Sequence, residues 1–310
     1  MQLPSSVDIV EVGPRDGLQN EKQFLPTADK IRLIERLAAA GLREIEITSF
    51  THPKWIPNLA DAEEVAAAVR HLDMTSFALV PNRRGLDRAL RSGIDGVTFV
   101  FSATDSHNLN NLNRTTEASL QEVVGLEAET RALGLKTRLS LSVVFGCPFE
   151  GRVSTEHVAS IVERLVDAGS TRIGLCDTIG VADPAQVYDL VSGLVARFAA
   201  VAFELHLHNT RGRALANILA GMQAGIRSFD AAIGGLGGCP YAPGATGNVA
   251  TEDVVAMLAA MKISTGVDED KLLAAAEVLA DWREAPLDSS IWRTRRLGAC
   301  DRKQSSERNA

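Results

Sequence analysis

At 310 residues, 45% hydrophobic and 23% charged with only 5% aromatic side chains, the chain is long enough for a full core and has the composition of a globular protein. A formal net charge of −7 argues against a nucleic-acid partner, and no apolar run approaches membrane-spanning length. The start MQLPSSVDIVEVG lacks the basic and then apolar pattern of a signal peptide, and four scattered cysteines without a C-x-x-C pair fit reduced thiols, so the expected compartment is the cytoplasm.

Short β-branched runs alternate with helical stretches from the N-terminus to about residue 262, the pattern of repeated βα units around a parallel sheet. In chain order the runs are VDIVEV (7–12), EIEITS (44–49), TSFALV (75–80), GVTFVF (96–101), TRLSLSVVF (137–145), TRIGLC (171–176), AFELHLH (202–208) and SFDAAI (228–233). Eight such units predict an α/β fold of the (β/α)8 TIM-barrel type rather than a doubly wound open sheet. Between the first two runs, TADKIRLIERLAAAG (27–41) predicts a helix that buries Ile31, Ile34, Leu37 and Ala38 and stops at Gly41. The same stop recurs at Gly93, Gly134, Gly169 and Gly225. A further amphipathic helix is expected over 268–284, which closes a barrel domain at 1–285. Residues 286–310, ending in DRKQSSERNA, are expected to be a partly disordered tail.

In such a barrel, chemistry sits where strands end and the following loops begin. The first strand ends in EVGPRDGLQNE, so Arg15 and Asp16 follow it closely, either as a local ion pair or as site residues. Glu44 and Glu46 alternate with Ile45 and Ile47, which sends both carboxylates into the barrel, where Arg15 is the nearest candidate cation for Glu46. At the end of the sixth strand, Asp183 or Thr178 can cap the helix that begins at Pro184, whereas Asp177 comes too early for that cap and is expected to face the mouth. The seventh strand places Glu204, His206 and His208 on one face. Imidazoles at i and i+2 can share one divalent ion when a carboxylate from another strand joins them, although an isolated H-x-H pair is more often held by hydrogen bonds. Finally, GGLGGCPYAPGATGN (234–248) brings Cys239 and Asn248 to the same mouth, the thiol being a nucleophile, a proton donor or an apolar filler.

Together, VEVGPRDGLQNEK (10–22), ITSFTHPKWIP (47–57), GCPFEG (146–151), DTIGV (177–181), HLH (206–208) with ALAN (214–217), and GGLGGCPYAPGATGNVATEDVV (234–255) resemble the hydroxymethylglutaryl-CoA lyase family, in the family's order and over nearly the whole barrel. The resemblance implies a divalent cation, Mg or Mn, held by Asp16, His206, His208 and Asn248. It further implies that Arg15 stabilises enolate charge and, with Gln19, binds substrate, that Glu46 orients Arg15, and that Asp177 and His206 handle protons. Cys239 would transfer a proton from a loop that closes over the substrate. The implied reaction cleaves 3-hydroxy-3-methylglutaryl-CoA to acetyl-CoA and acetoacetate, as in leucine breakdown. Citramalyl-CoA or a longer-branched 3-hydroxyglutaryl-CoA is the alternative acyl-CoA substrate, and a homo-oligomer such as a dimer is the expected assembly. A Claisen synthase or a silent binding barrel is disfavoured by the cysteine loop and by the intact site residues. Departures from the family are Asn209 in place of a common aspartate, Ser140 in place of a common tyrosine, the segment 102–115, and the region after Leu279, which in the family helps hold coenzyme A.

Overall fold

A computed structural model describes residues 3–238 and 247–296. All eight predicted runs are strands: β1 Asp8–Glu11, β2 Glu44–Ser49, β3 Thr75–Leu79, β4 Gly96–Ser102, β5 Lys136–Ser142, β6 Arg172–Asp177, β7 Ala202–Leu207 and β8 Ser228–Ala231. They pair in sequence order into a closed barrel, in which β8 returns to β1 in parallel register from Asp8↔Ser228 to Glu11↔Ala231. The helices are α1 Thr27–Ala39, α2 Ala62–Val69, α3 Arg83–Ser92, α4 Asp105–Leu112, α5 Thr116–Ala132, α6 Thr155–Asp167, α7 Pro184–Arg197, α8 Ala214–Gln223, α9 Thr251–Ala260 and α10 Glu269–Trp282. The last is the expected helix beyond the eight units, and Asp268 caps it by accepting from Lys271 N at 3.1 Å. None of the described helices is long and apolar enough to cross a membrane.

The alternation within each strand divides two environments. On β2, Ile45 and Ile47 are buried under the helices, while Glu46 is turned inward and is 1% exposed. Helix stops fall at the predicted glycines, where a left-handed residue ends the turn without a Cβ clash, as at Gly41 (φ 103°) and Gly225 (φ 112°).

Two expectations change. The buried stripe of α1 consists of Lys30, Leu33, Ile34 and Leu37, with Ile31 and Ala38 only half-buried. The stripe is rotated because the Lys30 ammonium is drawn inward by Asp61 Oδ1 at 2.8 Å and Asn58 O at 2.5 Å. Nor does the ordered domain stop at 285. Leu287 is 1% exposed and Ser289 is fully buried, and Asp253 on α9 accepts from Ser289 Oγ (3.0 Å), Ser290 N (3.0 Å) and Ile291 N (2.9 Å). One acidic side chain thus caps a short helical turn over 290–296, which the absence of a long apolar run had hidden.

Candidate active site

The site begins with a wide π-type turn at Gly13–Gly17, in which the amides of Arg15, Asp16 and Gly17 all donate to Val12 O. Its glycines are there for space. A Cβ on Gly17 would lie 2.7 Å from Leu236 Cβ, and one on Gly13 would lie 2.6 Å from Glu11 Oε1. The turn is therefore pressed against the first residues of the glycine-rich loop.

Arg15 forms the predicted pair with Glu46, and does so as a fork: Nε donates to Oε1 at 2.9 Å and Nη2 to Oε2 at 3.2 Å. Its third nitrogen, Nη1, donates to Asp16 Oδ1 at 2.5 Å. Burial by itself would discourage the charge on Arg15, but Glu46 and Asp16 outweigh it and raise the pKa above its ordinary value. The guanidinium is thus a fixed cation at the mouth, 8% exposed.

Asp16 and the two histidines converge as the strand-end argument requires. One ligand atom from each of Asp16, His206 and His208 lies within 4.8 Å of the others, the one such group among the described residues. The two imidazole rings sit 5.2 Å apart. Asn248 joins them by donating from Nδ2 to Asp16 Oδ2 at 2.7 Å, while its backbone bridges to His208. Burial of Asp16 would raise its pKa, yet Arg15, the two histidines and the Asn248 hydrogen bond hold the carboxyl well below its usual range. Burial, followed by the charges of His206 and Arg15, pushes His208 down to about 4, so its imidazole is neutral at physiological pH.

This donor set fits a divalent cation. Among the described residues His208 Nδ1 is a buried nitrogen with no hydrogen-bond partner, a cost that coordination would remove. A permanently ionised carboxylate beside a neutral imidazole is the protonation state that ligands must have.

The remaining predicted residues are placed as follows. Gln19 lies half-buried just past the Arg15 turn, its carbonyl receiving Asn58 Nδ2 at 3.5 Å. Asp183 caps α7 by accepting from Gln186 N at 3.0 Å. Thr178 does not cap; its Oγ1 accepts from Val143 N at 3.0 Å and holds that residue at φ 57°. Asp177, expected to face the mouth, accepts through its two oxygens from Val181 N (2.9 Å) and Ala182 N (3.0 Å), is 1% exposed, and lies within electrostatic reach of His206. The tight turn after β6 leaves those amides without other partners, and the nearest carboxylate takes them. Asn209 at its departing position receives Ala214 N at 3.2 Å at the start of α8. Cys239 lies outside the described residues.

Around the site, the buried residues Arg138, Asp230, Glu11 and Glu252 escaped the sequence reading. Arg138 and Asp230 stand behind His206 inside the barrel. Glu11 accepts from Gly13 N (2.7 Å), Ile233 N (2.8 Å) and Thr251 Oγ1 (2.7 Å), which ties the Arg15 turn to the end of β8. Glu252 accepts from Gly234 N at 2.9 Å and fixes the start of the glycine loop. Burial pushes Glu11 up to about 7 and Glu252 up to about 8. The signal was available: each is a charged residue inside an otherwise apolar strand or helix face.

Comparison with known proteins agrees with this fold. A family model described as HMGL-like matches residues 6–279. Hydroxymethylglutaryl-CoA lyase YngG of Bacillus subtilis is 49% identical over 290 residues, 93% of this chain and 97% of that protein. (R)-citramalyl-CoA lyase of Chloroflexus aurantiacus is 44% identical over 297 residues, 92% of this chain and 94% of that protein. The crystal structure of the Bacillus subtilis HMG-CoA lyase superposes with a TM-score of 0.93 at 47% identity, covering 96% of this chain and all of that one.

Proposed function

The chain belongs to the HMGL-like family, and on that premise we propose that it is a metal-dependent lyase that cleaves 3-hydroxy-3-methylglutaryl-CoA to acetyl-CoA and acetoacetate. The observation that carries this reading is the Asp16, His206, His208 cluster beside the Arg15–Glu46 fork at one barrel mouth. Asp16, His206, His208 and Asn248 would hold Mg or Mn. When bound, the cation lowers the pKa of the tertiary hydroxyl and fixes it beside a neighbouring substrate oxygen.

The chain's own residues do the rest. His206 Nε2 is turned toward Asp16, 3.9 Å from Oδ2, and presents the imidazole lone pair at the centre, as ligand or as acceptor of the hydroxyl proton. As the bond between C2 and C3 breaks, negative charge moves to the thioester oxygen. Arg15, already rigid in its fork with Glu46, meets that charge without having to reorient. The enolate carbon then takes a proton, a role we assign to Cys239, and the products are acetyl-CoA and a 3-oxo acid. We assign substrate contact to Gln19 as well, which follows the Arg15 turn and is half-buried.

The test is direct. Purified protein with Mn or Mg is incubated with hydroxymethylglutaryl-CoA and, separately, with citramalyl-CoA, and acetyl-CoA is measured with and without chelator. Metal-dependent acetyl-CoA from the first supports the proposal. Product from citramalyl-CoA alone transfers the same mechanism to the other acyl group, and none from either overturns the lyase reading.

A further inference from the structure

Asp230 sits in the middle of β8, paired in register with His206 on β7, and is 6% exposed. Its Oδ2 is 3.1 Å from His206 Nδ1, and its Oδ1 receives Arg138 Nη2. Arg138, 1% exposed, is in turn anchored by donating from Nε to Glu204 Oε2 at 2.9 Å. The order across the barrel is therefore Glu204, Arg138, Asp230, His206, Asp16, with the two ring nitrogens of His206 facing opposite carboxylates.

We propose that Asp230, held by Arg138, is a positioning residue that keeps the His206 proton on Nδ1 and so leaves the Nε2 lone pair facing the metal-binding cluster. This rests on reading that cluster as a metal centre. The physical argument is one of donors and acceptors. An ionised carboxylate can only accept, so Nδ1 must be the donor and the neutral ring has its lone pair on Nε2. Asparagine at this position would fill the same space and reverse the outcome. Arg138 offers only N–H groups, so it would take the amide oxygen and turn the amide NH2 toward Nδ1. Nδ1 would then accept, the proton would move to Nε2, and the lone pair that either role of His206 requires would be lost.

The test uses the full chain and the variant Asp230→Asn. Long-range proton–nitrogen NMR spectra of histidine side chains are recorded on chelator-treated protein at alkaline pH, where the ring is neutral, with His206→Gln identifying the resonance. The expected wild-type signature is Nδ1 protonated and Nε2 bare, and in Asp230→Asn the two exchange. Titration with Mn alone should show affinity lower by about 10- to 100-fold in the variant. Unchanged Mn affinity in a folded Asp230→Asn protein overturns the proposal, as does a wild-type spectrum with the proton on Nε2. The wild-type spectrum decides the matter even if the variant does not fold. Absence of Mn binding to the wild type counts instead against the metal centre, so the two readings fail separately.

Discussion

At the base of the barrel, Arg172 spans Glu44 and Glu204, and Ser228 Oγ adds a further hydrogen bond to Glu204 at 2.9 Å. At the mouth, the same kinds of side chain meet with a deficit: His208 Nδ1 has no hydrogen-bond partner among the described residues, and the Asp16 side chain remains 19% exposed. Both regions desolvate charge and answer it with an arginine, Arg172 at the base and Arg15 at the mouth, but among the described residues only the mouth adds two imidazoles to its carboxylate. Buried ions that are fully paired hold a structure, whereas a cluster of acceptors left short of positive charge waits for a cation. The contrast matches the division of (β/α)8 barrels into a supporting N-terminal face and a reactive C-terminal face.

The largest effect expected from breaking this contrast is at the mouth. Arg15→Gln should lower kcat by about 1,000-fold, because it removes charge stabilisation made in the transition state, while Mn binding measured by titration stays near wild type. His208→Ala should do the reverse in order, weakening Mn affinity about 100-fold, with part of the activity recovered at saturating Mn. If both variants lost metal equally, the separation between charge stabilisation and ligation would fail.

At the base the currency is stability. Arg172→Met leaves Glu44 without its partner and should lower urea-unfolding stability by about 2 kcal/mol, toward the lower end for a broken ion pair because Arg172 is 20% exposed. Turnover by the folded fraction should be unchanged. A drop in kcat comparable to that of Arg15→Gln would erase the distinction between the two ends.

The acidic clamps between these regions predict a pH dependence. Glu11 and Glu252 are raised by burial to about 7 and about 8, so in the folded chain they keep protons that the unfolded chain has already released above about pH 4.5. Stability should therefore be greatest at the acidic end of this window and fall as pH rises toward 8. Glu252→Gln removes one of the two groups. Its melting temperature should equal wild type near pH 5 and exceed it by a few degrees near pH 9. Smallest of all, Asp183→Ala removes only the α7 cap and should cost about 1 kcal/mol with turnover intact.

Much of this molecule could be read from the chain alone because its signals are local. Strand runs, helix stops at glycine and the Asp183 cap depend on neighbours a few residues away, and each was found within three residues of its expected place. The convergence of Asp16, His206 and His208 was also foreseeable, since a closed barrel brings every strand end to one rim. The partners of Asp177 were hidden for the opposite reason. Which groups a strand-end carboxylate accepts from depends on which amides lack partners, and no spacing rule records that.

The sequence by itself determined the eight-unit barrel, the rim on which the chemistry lies and the residue types gathered there, because periodicity and strand-end position are properties of short segments. Only the tertiary structure decided who pairs with whom across the interior. Arg138 reaches Asp230 across 92 positions of chain, and Glu11 reaches Thr251 across 240. Such pairings are set by the closure and stagger of the whole barrel, and through them the fold governs which nitrogen of His206 carries its proton.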